Sequence, residues 1–180
     1  MNVSKTSFSK NKHRFGAGLY LSRESPSGAT DATITNCLIQ NNLASVGGFL
    51  YTSTRLNILD LYIYDSTFDF NNAQSSSDAT ADGGCLAFAL SISTRINVTL
   101  MRNIFKNNAA HNNGAVVAFK ASNPSGSFYV QNNAFTGNDG QNGGVFYFRE
   151  ILDYRGLNNY FEDNYASENG LYLNVFSLMF

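Results

Sequence analysis

The chain writes one two-part phrase six times, and that repetition restricts the fold more than any local propensity does. An aromatic or aliphatic residue stands three positions before an Asn: Phe8 before Asn11, Ile39 before Asn42, Phe68 before Asn71, Phe105 before Asn108, Phe135 before Asn138 and Phe161 before Asn164. A glycine-containing doublet and a short apolar run follow each time, at Gly16-Ala17, Gly47-Gly48, Gly83-Gly84, Asn113-Gly114, Gly143-Gly144 and Asn169-Gly170. The Asn positions lie 31, 29, 37, 30 and 26 residues apart. The long interval holds a Ser-rich insertion of about seven residues within Gln74 to Asp82, read as a protruding loop with Asp78 and Asp82 in solvent. The short interval reflects a trimmed connection between Arg149 and Gly156.

Reading down the repeats gives columns. Ten residues before the Asn stand Ala32, Leu61, Val98, Phe128 and Tyr154, and eight before it Ile34, Ile63, Leu100, Val130 and Gly156. That alternation is a strand with one buried face. Six before it come Asn36, Asp65, Arg102, Asn132 and Asn158, a polar corner. The Phe and Ile positions form a second inward strand, and the Asn makes a turn. After the glycines a third strand points Leu19/Leu21, Leu50/Thr52, Leu86/Phe88, Val116/Ala118, Phe146/Phe148 and Tyr172/Asn174 inward. Pro26 and Pro124 fall in connections, where a missing N–H does no harm.

Three short strands in a unit of about thirty residues describe one coil of a parallel β-helix. A coil cannot bury its apolar side alone, so coils stack at roughly 4.8 Å and like residues lie above like. The spacing therefore predicts an all-β, single-domain, single-stranded parallel β-helix of about six coils over residues 1–180, as part of a longer array. Phe8, Ile39, Phe68, Phe105, Phe135 and Phe161 form its core stack, and Asn11, Asn42, Asn71, Asn108, Asn138 and Asn164 form an amide ladder. Asp65 beside Arg102 and Asp69 beside Lys106 are expected as exposed pairs of small energy, about 0–1 kcal/mol each.

A net charge of −1 with 14% charged residues provides no basic stripe, which argues against a nucleic-acid partner. No stretch approaches the roughly 18 apolar residues of a membrane-spanning helix. Residues Met1 to Arg14 lack the apolar segment of a secretory signal. Cys37 and Cys85 occupy different parts of their repeats and are expected as two free thiols packed as small hydrophobes.

The alternating phrase resembles the repeats of the chlamydial polymorphic outer membrane protein family. The first half stands here as FSKN, IQNN, FDFN, FKNN, FTGN and FEDN, and the second as GAGL, GGFL, GGCL, NGAV, GGVF and NGLY. The resemblance covers nearly the whole chain. It implies a right-handed parallel β-helix of the pectin-lyase-like kind, displayed outside the cell and acting in adhesion. The family's signal peptide and membrane β-barrel have no counterpart in these residues.

The same fold class contains polysaccharide lyases and hydrolases, so a catalytic pair must be sought. Retaining glycosidases need carboxyls about 5–5.5 Å apart and inverting ones about 6.5–9.5 Å. Asp69 and Glu162 share a column three coils apart, roughly 14 Å, and Glu162 and Asp163 are chain neighbours on opposite strand faces. No cluster of acids with a basic partner is found on adjacent coils. His13 and His111, in turns of different repeats, read as surface residues without metal spacing. Asp139-Gly140 and Asn142-Gly143-Gly144 resemble calcium-binding turns but have the wrong period. Asn2-Val-Ser4 and Asn97-Val-Thr99 are glycosylation triplets. The expected function is therefore non-catalytic and structural or adhesive, with no cofactor, at the cell surface or outside it. The expected partners are adjacent coils of a longer chain and a host or matrix protein or glycan. The contact surface is the exposed sheet side with the Gln74–Asp82 loop. The alternative is a pectate-lyase-like carbohydrate-active enzyme.

Overall fold

In the computed structural model every strand pairs parallel with the equivalent strand one repeat away, which makes the chain a parallel β-helix. The structure describes residues 1–22, 29–52, 58–75, 81–90, 95–121, 125–150, 153–170 and 173–175. Pro26, Pro124, Asp78 and Tyr172 lie outside them, as does the middle of the Ser-rich insertion.

Four sheets of six strands run along the helix. The first holds the longest strands, among them Ala29–Thr35, Ile58–Tyr64, Arg95–Met101 and Ser125–Gln131. The second holds three-residue strands such as Thr67–Asp69 and Ile104–Lys106. The third begins just after the repeated Asn, as in Leu43–Val46 and Ala109–Asn113. The fourth follows the glycines, as in Leu86–Leu90 and Val117–Ala121. Sequence columns had three of these. The third sheet was read as the turn made by the Asn, because its strands are two to five residues long and carry no clean alternation.

Register follows the columns. Ala32, Leu61, Val98, Phe128 and Tyr154 are cross-strand partners, as are Ile34, Ile63, Leu100, Val130 and Gly156. One column slips. After Gly114 the inward residues are Val117 and Phe119, paired with Leu86 and Phe88, and not Val116 and Ala118. Leu173 and Val175 likewise take the register expected for Tyr172 and Asn174. The reason is the corner. Gly16, Gly47, Gly83, Gly114, Gly143 and Gly170 all have φ between +52° and +67°. A Cβ on Gly114 would lie 2.0 Å from the Val117 carbonyl oxygen. Gly114 therefore corresponds to Gly83, the first glycine of its doublet, and Asn113 corresponds to Asp82.

The Phe column is continuous where it can be. Phe68, Phe105, Phe135 and Phe161 stack at centroid distances of 4.6, 5.2 and 4.9 Å. Ile39 interrupts the column, and Phe49 from the fourth corner fills the gap, edge-on to Phe8 at 5.1 Å and to Phe68 at 5.7 Å. Its ring occupies the space above Gly18, where a Cβ would meet it at 2.4 Å. Each fully buried ring contributes roughly 1.5–3 kcal/mol before conformational entropy is charged.

Candidate binding face and its scaffold

The interior Asn residues of the repeat, Asn42, Asn71, Asn108 and Asn138, are buried and bond through both the oxygen and the nitrogen of the side chain. The Oδ1 of Asn108 accepts from the backbone N of Asn71 at 3.0 Å and from its Nδ2 at 3.0 Å. The Nδ2 of Asn108 donates to Asn138 Oδ1 at 3.0 Å and to the Phe68 carbonyl at 3.1 Å. The same links join Asn11 to Asn42, Asn42 to Asn71 and Asn138 to Asn164. A parallel stack repeats every group at one spacing, so a side chain that satisfies one corner satisfies the next.

A second ladder stands five residues earlier and was missed. Asn103, Asn133 and Asn159 repeat the geometry, with Asn103 Nδ2 reaching Asn133 Oδ1 at 3.1 Å and the Ile63 carbonyl at 2.8 Å. Ser66 and Cys37 occupy the same place in earlier coils, where Ser66 Oγ accepts from the Cys37 backbone N at 3.1 Å. The signal was present as Asn pairs five apart in the last three repeats. Cys37 is thus free and buried but polar in its surroundings, its Sγ 3.3 Å from the Thr35 carbonyl. Cys85 is free and buried in the core, and burial pushes its thiol well above its ordinary range.

A left-handed residue precedes each ladder position. Asn36, Asp65, Arg102, Asn132 and Asn158 have φ between +49° and +55°, and Lys10, Asn41, Phe70, Asn107 and Asp163 between +51° and +57°. Asn and Asp adopt this region most readily among residues with a side chain, which accounts for Asn36, Asn41, Asn107, Asn132 and Asn158 at these corners.

With the ladders turned inward, the outward chemistry lies on the sheet faces. The first sheet presents the row Thr33, Tyr62, Thr99, Tyr129 and Arg155, and beside it Thr35, Tyr64, Met101, Gln131 and Leu157. Tyr62 and Tyr64 lie 6.2 Å apart at 24°, and Tyr129 Oη is 2.7 Å from Gln131 Oε1. Partial burial and the neighbouring Tyr62 raise the Tyr64 phenol above its ordinary value. The outer row of the fourth sheet runs Tyr20, Tyr51, Ala87, Ala118 and Tyr147; it is exposed at Tyr20, whose ring stacks on Tyr51 at 5.5 Å, and closed in its middle. Ala87 and Ala118 are buried there, and the crevice beside Asp82 and Lys120 holds about 20 Å³.

The acids are placed as follows. Asp65 makes a two-pronged pair with Arg102 at 2.7 and 2.8 Å, which lowers its pKa, and Asp69 meets Lys106 at 3.3 Å. Asp82 is not a solvated loop residue. It is buried, accepts from Asn113 Nδ2 at 2.6 Å and pairs with Lys120 at 2.5 Å, because it occupies the corner position before a glycine. Asp31 and Asp60 on adjacent coils are cross-strand partners on the first sheet's outer face. They stand one column beyond those read from the sequence. Asp60 also accepts from Asn97 Nδ2 at 2.6 Å, so the amide of this glycosylation triplet is engaged, and Ser127 binds its Oδ1 at 3.2 Å. Asn2 is exposed. His13 and His111 lie in strands of the third sheet rather than in turns, and so does Asp139. Among the described residues no group of three His, Cys, Asp or Glu side chains could hold a metal.

Comparison with known proteins gives one weak likeness. No family model matches the chain. It is 27% identical over 175 residues to a protein named probable autotransporter YfaL of Escherichia coli strain K12, a match that covers 95% of this chain and 12% of that protein. No solved structure matches it.

Proposed function

We propose that the chain is a passenger-like β-helix segment of a surface or secreted repeat protein, non-catalytic, serving as a rigid spacer that displays an adhesive face outside the cell. The likeness to an autotransporter supports this placement, as does the resemblance of the repeated phrase to chlamydial polymorphic outer membrane protein repeats. The observation that carries the reading is the division of labour among polar groups. The Asn side chains hold the scaffold from within, and the long first sheet is left as a flat face of Tyr and Thr rows. Tyrosine offers broad, rigid contact area with a hydrogen-bonding tip, suited to a glycan or a matrix protein. Further coils of the same kind are the natural neighbours at either end of the stack. The test is binding of the purified chain to glycan arrays and immobilised matrix proteins. Tyr62→Ala with Tyr129→Ala should weaken capture by about tenfold or more. Undiminished capture by that variant would remove the first sheet from the proposal.

One observation favours a second reading, a carbohydrate-active enzyme. At an interstrand spacing of about 4.8 Å, Asp31 and Asp60 approach the separation of a retaining glycosidase pair. Release of reducing sugar from polysaccharides, abolished by Asp60→Asn, would replace the adhesive reading. Equal, background-level release from both proteins supports it.

A further inference from the structure

The repeat is broken once, and the break builds a cleft. The third sheet's strand in the third coil is cut to Asn72–Ala73, where its neighbours run four and five residues. Gln74 keeps the register one residue longer, its backbone N–H donating to the Ala44 carbonyl at 2.8 Å. The chain is back in the stack at Ala81, whose carbonyl accepts from the Asn112 N–H at 3.0 Å. The Ser-rich insertion therefore springs from the third sheet. Its root, Gln74 and Ser75, makes one wall of a cleft of about 320 Å³. The floor is the outer side of the two preceding strands, at Lys12, His13, Leu43 and Ser45. The cleft opens sideways through the sheet face and not along the helix axis. An insertion in one unit of a stacked repeat is often its binding face, and this volume is at the lower end of the range for small-molecule sites, about 300–1,000 Å³.

Its chemistry is that of unengaged polar groups around one cation. Lys12, Ser45 and Gln74 make no side-chain hydrogen bond or ion pair among the described residues. The His13 ring is held by its own strand, with Nδ1 3.2 Å from the Phe15 backbone N. Arg14 is turned to the Phe15 ring, 5.1 Å from its centroid, which leaves Lys12 as the cation of the cleft. No carboxylate lines it, and residues 12–15, 43–46 and 72–75 contain no Asp or Glu. The acids at the two corners of the third coil are engaged elsewhere, Asp69 by Lys106 and Asp82 by Lys120. An ammonium group with no acid beside it attracts an anion. A hydroxyl and an amide both donate and accept, as sugar hydroxyls require, and Leu43 offers an apolar patch to a sugar's C–H face.

We propose that this cleft binds an anionic sugar, with its carboxylate or sulfate on Lys12 and its hydroxyls on Ser45 and Gln74. The site belongs to the third sheet and is separate from the Tyr and Thr rows of the first.

Titration of the isotope-labelled 180-residue chain, followed by amide NMR, tests this with four probes: glucuronate, a sulfated glucose, glucose and inorganic sulfate. At least one of the two acidic sugars should shift the amide signals of Lys12, Leu43, Ser45 and Gln74 to saturation, and the tighter of the two assigns the charge to carboxylate or sulfate. Glucose and inorganic sulfate should bind about tenfold or more weakly. Lys12→Gln and Gln74→Ala change exposed side chains. Lys12→Gln should weaken the acidic sugar about tenfold and Gln74→Ala about threefold, both with unchanged circular dichroism. Tyr62→Ala with Tyr129→Ala should bind it like the wild type. The proposal is overturned if neither acidic sugar gives saturable shifts. It is equally overturned if inorganic sulfate or glucose binds as tightly, or if Lys12→Gln binds undiminished. Loss of binding in the Tyr62 and Tyr129 variant would move the ligand to the first sheet and also overturn it.

Discussion

Asn108→Ala is the most informative single change, because the structure specifies what it breaks. Asn108 is fully buried and its side chain takes part in four hydrogen bonds. Two of its partners keep other bonds: Asn71 Nδ2 still reaches the Ile39 carbonyl, and Asn138 Oδ1 still receives the Asn108 backbone N–H. The Asn71 backbone N–H loses its acceptor inside the protein. Leaving a buried donor unsatisfied costs about 1–3 kcal/mol, and each of the other three lost bonds about 0.5–1.5 kcal/mol. The expected loss is about 2.5–7.5 kcal/mol, at the upper end for one substitution. Asn11→Ala is the internal control. Its amide only donates to Asn42 Oδ1, which keeps the Asn11 backbone N–H, so about 1 kcal/mol is expected. The assay is urea unfolding followed by far-UV circular dichroism, comparing midpoints at unchanged slope. If Asn108→Ala costs no more than Asn11→Ala, the ladder is a consequence of stacking and not a cause of it.

Three further outcomes follow from other columns. Thr52 is buried, and its hydroxyl finds no hydrogen-bond partner among the described residues, so Thr52→Val should stabilise by about 1 kcal/mol in the same titration. Gly114→Ala should prevent cooperative folding, since its Cβ would meet a backbone carbonyl. Gly137→Asn should be tolerated or slightly stabilising on thermal melting, because the nearest atom is the tip of Asn107 and Asn already serves this corner in other coils. Burial raises the phenols of Tyr51, Tyr64 and Tyr147, so the unfolded chain releases those protons first. Stability should therefore fall as pH rises above about 10, and a flat urea midpoint from pH 9 to 11 would contradict it.

Much of this architecture was legible without coordinates because a stack of coils turns sequence period into spatial register. Residues at one phase of the repeat must lie above one another, so the Phe and Asn columns could be read as a core and a ladder before any strand was placed. The inward columns of the first sheet were legible for the same reason, reinforced by clean alternation over seven residues.

What escaped that reading depended on contacts the period does not carry. The third sheet is too short to alternate, and only its neighbours' hydrogen bonds make it a sheet. The second ladder begins with Cys37 and Ser66 before becoming Asn, a chemical equivalence visible only when their side chains meet the same backbone groups. The slip after Gly114 was decided by which glycine must take positive φ, a steric fact of the closed corner. Asp82 looked like loop chemistry, and it is buried because Asn113 and Lys120 from other strands surround it. The sequence by itself determined the repeat, its columns and the class of fold, because these follow from translational symmetry. Only the tertiary structure decided which polar residues are spent on the scaffold and which remain on the outside, because that choice rests on contacts between coils that lie about thirty residues apart.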